Sequence, residues 1–548
     1  MTESPEKTSE AIVVVAQSDK RQWVAVGVGA LVVAAVYLYR LDRPLLWGDE
    51  ADTGILSRNV LRFGVPTAYD GRNLSFFDGG TQLSEGLLSA RIPWVQYYLG
   101  ALSLKVFGDS TQGLRTIFVL IGVTAFLPIF AVLRNRLPHP VIMTVLVLAS
   151  PQVVLFHRNA RYYSILTLLY AILLWHLSHT YQNRKWRFAV ATVCLVLLYH
   201  THSAAAVCAS LSVLLFCVLK RRPAFLEHLL ACGLGCGSWL IWWKALGRTW
   251  VPPPPLLAIL RDDPAAWLGF CLTGLKVTVL DLDAVTCFPI LAWAVVLACG
   301  WFKAPGALRE ALRDPLVTFI LISLAVQSFV LASCFGYEAG QKYALLRYMP
   351  YLVTFSLVPL FIFMHTLLRH GALLTAACAA VVGVNAFTLS FWTGPSWGDI
   401  PVSWWPPVYR EILQPPTRAW DGVMDVIRRS AAQPQDEETM LVVPDWMDTT
   451  AIFYLGDRFL IIPHVEKGSS AEGRVRRAIG AEAYRRFDRP PKYAVDCFGE
   501  LAAPPGYRRI EIPSFSVRPD DGARPELTRH AFTRKNPVGV VYLFERLE

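Results

Sequence analysis

Apolar runs separated by short polar breaks dominate the first 392 residues. Runs long enough to cross a hydrocarbon core of ~30 Å fall near residues 23–39, 113–133, 140–156, 163–181, 226–246, 285–302, 315–335, 348–368 and 372–392. The first run ends in Tyr37-Leu38-Tyr39-Arg40 instead of small residues, so it reads as a membrane span and not as a cleaved signal. Phe188–Leu219 needs its own argument. As one helix its 32 residues would measure about 48 Å, too long for the core without strong tilt. Basic clusters flank it, Arg184-Lys185-Trp186-Arg187 before and Lys220-Arg221-Arg222 after. Both belong on the cytoplasmic side, so the chain crosses twice and turns at Tyr199-His200-Thr201-His202. Arg91–Phe107 is apolar as well, but Trp94, Tyr97 and Tyr98 suit a helix lying in the interface.

This pattern predicts a polytopic α-helical membrane protein of about eleven spans over residues 1–392, with an outer first loop over about 41–111. Twelve basic residues lie in the loops assigned to the cytoplasm and three more in the N-terminal tail. The N-terminus is then cytoplasmic, and residues 393–548 lie outside, in the periplasm or the extracellular space of what reads as a bacterial inner membrane protein. Beyond a proline-rich linker at Pro395, Pro406, Pro407, Pro415 and Pro416, the period shortens. Helices are expected over Ala419–Arg429 and Thr449–Leu455, and strands over Met440–Val443, Phe459–Ile462, Lys492–Val495, Ile510–Ile512 and Gly539–Phe544. That alternation predicts a small extracytoplasmic α/β domain.

Composition sharpens this picture. The chain is 54% hydrophobic and only 17% charged, where a soluble chain carries about a quarter charged residues. A formal charge of +10 would suit nucleic acid, but its distribution argues otherwise. Residues 1–392 hold 31 basic and 20 acidic residues, while residues 393–548 hold 21 and 22. The excess travels with the apolar segments and reports topology, so no nucleic-acid partner is expected. Ten of the eleven cysteines lie between Cys194 and Cys378, mostly in apolar runs, and Cys497 stands alone in the C-terminal region. No disulfide can form within that region, and no Cys-x-x-Cys pair with a histidine partner suggests structural zinc.

The candidate chemistry sits on the expected outer face. Leu45-Leu46-Trp47-Gly48-Asp49-Glu50-Ala51-Asp52 places three carboxylates in four residues just past a span. Such a carboxylate can accept a proton from a hydroxyl or hold a divalent cation. Equally, Asp49 can cap a helix with Glu50 in its first turn. His157-Arg158-Asn159-Ala160-Arg161-Tyr162 carries two arginines that would share a helix face. They run against the positive-inside bias and need a partner. A phosphate suits the guanidinium fork, and acids of the first loop or lipid headgroups are the alternatives. Arg347-Tyr348 stands at the mouth of a late span, and His200 and His202 lie two apart in a turn, too few for a metal site alone.

Together these elements resemble the GT-C superfamily of integral membrane glycosyltransferases, in the branch of protein O-mannosyltransferases and lipid A aminoarabinose transferases. Asp49-Glu50 matches the branch's Asp-Glu motif at the start of the first outer loop. Asn59–Pro66, an interfacial helix from Pro93 to Phe107-Gly108, and Ser150-Pro151 ahead of Arg158–Tyr162 follow in the family's order. Thr201-His202 and Arg347-Tyr348 complete it. Two departures stand out: Arg91-Ile92-Pro93 replaces the family's usual residues before the interfacial helix, and Asp52 adds a carboxylate.

The resemblance implies a polyprenyl-phosphate sugar as donor, a single inverting displacement, and a glycan, glycolipid or protein acceptor, with membrane lipids around the chain. It makes Asp49 the general base, with Glu50 able to serve as base or ligand. Arg158, Arg161 and Arg347 would stabilise the leaving phosphate, and Tyr162, Tyr348 and His202 would orient phosphate or sugar; Arg91 is a further candidate for substrate binding. Metal use varies within GT-C, so a divalent cation is allowed but not required. The competing reading is a transporter or flippase of a lipid-linked sugar, which would call for mid-membrane charges and inverted repeats. The sequence shows few such charges and no such repeat.

Overall fold

The structure is a computed structural model. It describes residues 20–547 apart from 77–82, 91, 179–182, 222–223, 248–254, 287, 335–349, 394–403, 414–418, 431–437, 444–447, 464, 466, 497–500, 503 and 515–538.

The first apolar run forms α1 (Lys20–Leu38), and the polar stretch after it holds α2 (Gly48–Phe63) and α3 (Val95–Phe107). Helices α4 (Thr111–Thr124) and α5 (Phe126–Leu133) follow end to end, then α6 (Pro140–Leu148) and α7 (Pro151–His157). A proline opens each of the last two at the first helical position, where its missing N–H is harmless and where the preceding helix must stop. The chain continues through α8 (Tyr163–Ser178), α9 (Arg184–Tyr199), α10 (Ser203–Lys220), α11 (Phe225–Ala245), α12 (Pro255–Asp262) and α13 (Pro264–Thr286). The helical part ends with α14 (Ile290–Lys303), α15 (Pro305–Arg313), α16 (Pro315–Cys334), α17 (Pro350–Leu367) and α18 (Gly371–Gly383).

Among the described residues, α1, α4–α5, α10 and α11 are each long and apolar enough to cross a membrane, and α14–α15 joins them if its 119° bend breaks one span. Shorter apolar helices, α8, α17 and α18 among them, pack around these. The fold is that of a polytopic helical membrane protein. Its outward faces are apolar, as lipid contact requires: Leu31, Leu219, Ile241 and Phe302 are all exposed.

The turn at His200–His202 separates α9 from α10, as the length argument required. Arg187 donates to both oxygens of Glu227, Nε to Oε2 at 2.7 Å and Nη2 to Oε1 at 2.8 Å, which holds the N-terminal ends of α9 and α11 side by side. Helix α3 has 13 residues, about 20 Å and too short to span. It buries Tyr97, Gly100, Ala101 and Leu104 against α2 and α4 and exposes Leu102, Val106 and Phe107. One element departs from the expectation. The apolar runs leave residues 247–284 between two spans, yet this stretch contains α12 and most of the 23-residue α13, which packs along α16. Lys276, Asp281 and Asp283 dilute its hydropathy, so the apolar pattern covers only its first part, Pro264–Thr273.

The C-terminal region adds α19 (Leu389–Thr393), α20 (Pro407–Leu413), α21 (Ala419–Ser430), β1 (Thr439–Val443), α22 (Asp448–Leu455), β2 (Leu460–Ile462), α23 (Ser470–Ile479), α24 (Ala481–Arg485), β3 (Tyr493–Asp496), β4 (Tyr507–Ser514) and β5 (Gly539–Arg546). The strands form one sheet in the order β2-β1-β3-β5-β4. β1 pairs parallel with β2 and β3, while β5 pairs antiparallel with β3 and β4. Met440, Val442, Leu460, Val495, Val541 and Leu543 are among its buried residues. The crossover helix α22 between β1 and β2 leans away from a purely local role and packs against α2. The segment between α2 and α3 also joins this domain, with Ala68, Leu74, Phe76 and Leu87 sharing a core with Leu460, Val475, Tyr484 and Phe487.

Candidate active site

Helix α2 begins where the chain leaves α1 and turns back towards the helical core. Its N-cap is Trp47, which offers no side-chain acceptor, so Asp49 is not the cap that one reading of the sequence allowed. Asp49 and Glu50 both lie in the first turn, where free N–H groups and the helix dipole favour negative charge. Asp49 is 5% exposed and Glu50 fully buried. The helix ends at Gly64, whose φ of 79° is a left-handed conformation that favours glycine.

The two carboxylates face different partners. Glu50 takes a bidentate pair from Arg115 at the start of α4, Nε to Oε1 at 2.9 Å and Nη2 to Oε2 at 2.6 Å, and accepts the Ala160 N–H at 2.7 Å. Arg115 also donates to the Leu41 and Pro44 carbonyls. Asp49 pairs with Arg161, whose Nη2 lies 3.2 Å from Oδ2 and whose Nη1 donates to the Asp49 carbonyl at 2.9 Å.

Arg158 and Arg161 do not share a helix face. The chain is irregular between α7 and α8, and the two side chains diverge. Arg158 donates to the carbonyls of Val36, Tyr37, Tyr39 and Arg40, where the unsatisfied C-terminal end of α1 attracts a cation. Arg161, 1% exposed, turns inward to Asp49 and lies over the Tyr162 ring with 5.2 Å to its centroid. Burial alone would make its guanidinium easier to deprotonate, but the Asp49 carboxylate and the neighbouring tyrosines hold its pKa above the ordinary value. Arg161 Nε has no acceptor among the described residues.

Tyr162 is buried and its ring lies 4.4 Å from that of His202. His202 caps α10 through Nδ1, which accepts the Ala205 N–H at 3.2 Å. Burial, reinforced by the Arg161 charge, lowers its pKa to about 3. The ring is therefore neutral at ordinary pH, and because Nδ1 accepts, its proton sits on Nε2. Asp49, Arg161, Tyr162 and His202 thus belong to one buried cluster, and Glu50 sits behind it. Arg91, Arg347 and Tyr348 lie outside the described residues. Among the described residues no group of three or more His, Cys, Asp or Glu is placed to hold a metal ion.

Sequence reasoning missed two contributors. Arg115 is a charge at the head of an apolar run, and a charge there demands a partner; that signal was available. The other is α22, a helix the sequence predicts but whose contact with this site no sequence signal records. Its Thr449 donates to the Gly48 carbonyl at 3.0 Å, and the neighbouring Asp448 is fully buried. Trp47 Nε1 also reaches Asn159 Oδ1 at 3.1 Å, lacing together the segments that precede α2 and α8.

Residues 92–242 match the family model of dolichyl-phosphate-mannose-protein mannosyltransferases. The match spans Arg158–Tyr162 and His202 but stops short of Asp49 and Glu50. Among solved structures the chain is similar to ArnT from Cupriavidus metallidurans bound to undecaprenyl phosphate, at 14% identity and a TM-score of 0.50, with 87% of this chain and 93% of that one covered. The apo form of the same protein gives 14% identity and a TM-score of 0.47 over the same shares. No curated protein matches the chain. The chain thus shares the fold of that solved structure, and its residues 92–242 are similar to the mannosyltransferase family model.

Proposed function

We propose that the protein transfers a sugar from a polyprenyl-phosphate donor to an acceptor hydroxyl at the outer face of a cell membrane, with a cell-envelope glycan or glycolipid as the acceptor. The observation that carries this reading is the buried Asp49–Arg161 pair. It sets a carboxylate beside a guanidinium that has a donor, Nε, unsatisfied among the described residues. A phosphate oxygen answers that donor, and guanidinium–phosphate contact is charge-assisted. The undecaprenyl phosphate in the ArnT structure supports the same ligand class.

In this reading Asp49 takes the proton from the acceptor hydroxyl as the oxygen attacks the anomeric carbon from the face opposite the phosphate. The glycosidic carbon–oxygen bond to phosphate breaks, and the configuration inverts. Arg161, together with Arg347, stabilises the charge that builds on the leaving phosphate, a contribution of typically ~3–4 kcal/mol for one well-placed donor. Neutral His202 donates through Nε2, and Tyr162 stacks between it and Arg161. The geometry supports a scaffold role for Glu50, whose oxygens already take three hydrogen bonds, and for Arg158, which holds the end of α1.

The test is a transfer assay. Membranes carrying the protein are given radiolabelled polyprenyl-phosphate sugars, and label is followed into glycan, glycolipid and protein fractions. Label moving to an acceptor supports the proposal. Donor that crosses the bilayer and stays intact would identify a flippase instead.

A further inference from the structure

The segment that leads into α2, from Leu45 to Trp47, has no regular structure, and with Gly48 it is largely buried. Its peptide groups need partners, and the C-terminal domain supplies them for the Leu46 N–H and for the Leu46 and Gly48 carbonyls. Tyr454 Oη accepts the Leu46 N–H at 2.8 Å, Thr450 Oγ1 donates to the Leu46 carbonyl at 3.4 Å, and Thr449 Oγ1 donates to the Gly48 carbonyl at 3.0 Å. Tyr454 Oη is itself tied to Thr111 Oγ1 at 2.6 Å. One turn further along α2, Phe453 fills the space that a side chain at Gly54 would occupy. Arg58 covers the Phe453 ring at 3.9 Å and donates to its carbonyl at 2.7 Å.

We infer that α22 of the C-terminal domain is a positioning element of the transfer site. Thr449, Thr450 and Tyr454 hold residues 45–48 and so set where the Asp49 carboxylate points. None of the three needs to touch substrate. The Gly48 carbonyl belongs to the peptide unit that leads into Asp49, so releasing it lets the carboxylate drift. A misplacement of about 1 Å at a reacting group costs up to ~10²-fold in rate. The inference rests on Asp49 being the base.

The full-length protein with Thr449→Val tests it. The substitution keeps side-chain shape and removes the donor. The expected result is a kcat lowered roughly tenfold, a donor KM within about twofold of wild type, and heat resistance in detergent unchanged; Thr449→Ser restores the rate. Hydrogen–deuterium exchange of peptides covering residues 41–50 gives a readout that needs no activity. Tyr454→Phe should speed exchange of the Leu46 amide by roughly tenfold, the effect of about one net hydrogen bond. An unchanged kcat in an active preparation overturns the inference, as does a rate loss matched by an equal loss of heat resistance. If the wild type transfers no sugar, the proposed function fails on its own, and the exchange result alone decides whether α22 holds the segment.

Discussion

Replacing Arg115 with Met should destabilise the protein more than any exposed substitution. Arg115 and Glu50 are 3% and 0% exposed. Met keeps much of the aliphatic stem and removes the guanidinium. Glu50 then retains only the Ala160 N–H, and the Leu41 and Pro44 carbonyls lose their shared donor. Removing one partner of a buried pair costs about 3–5 kcal/mol because the remaining charge has neither water nor counter-charge. Whole-protein stabilities are about 5–15 kcal/mol, so the loss is a large fraction. Unfolding of a membrane protein from detergent is followed best as a rate. If the whole cost appears in that rate, heat inactivation accelerates by about 10²–10⁴-fold. Size-exclusion profiles after timed heating would show it. The double variant Arg115→Met with Glu50→Gln removes the stranded charge and should recover part of the loss, with a coupling of about 0.5–3 kcal/mol. Wild-type heat resistance in Arg115→Met, or a double variant no better than that single one, would refute a buried structural pair.

Three further outcomes are expected. Asp49→Asn should abolish sugar transfer and, because it leaves the buried Arg161 charge without its counter-charge, also lower heat resistance; an active Asp49→Asn protein removes Asp49 as the base. Gly54→Ala should cost about 1–3 kcal/mol, since its Cβ would fall 2.4 Å from a ring carbon of Phe453, and Phe453→Leu in the same chain should relieve it; heat inactivation of both checks this. His202, lowered to about 3 in the folded protein, takes up its proton on unfolding at a pKa near 6.5. Its stabilising share is present above pH ~6.5 and is lost as pH falls towards 3, by at most about 1.4 kcal/mol per pH unit. Wild type should therefore lose stability faster than His202→Gln between pH 6.5 and 5, and unfolding midpoints across that range would show equal slopes if the assignment is wrong.

Much of the candidate cluster could be read from residue types. Asp49, Arg161, Tyr162 and His202 were identifiable as candidates because a carboxylate, an arginine between apolar runs and a turn histidine each stand out against an apolar background, and the fold brings these four together. Arg158 shows the limit. Three residues from Arg161, it points to the carbonyl end of α1, because the chain between α7 and α8 is not helical and spacing no longer sets direction. Glu50 was indistinguishable from Asp49 in sequence, since its partner Arg115 lies 65 positions away.

What the sequence by itself determined is local in origin. Apolar runs become helices wherever lipid or a packed interior can receive them, prolines mark where α6 and α7 begin, and short apolar stretches bounded by polar and proline-rich segments mark β1, β3 and β5. The 23-residue α13 escaped because three charges in its second half weaken that local signal. Only the tertiary structure decided which carboxylate faces Arg161 and which is locked to Arg115. It also decided that α22 reaches back across 401 positions to hold the segment before Asp49. Those choices depend on which buried polar groups find partners after the helices pack, and no periodicity along the chain records that.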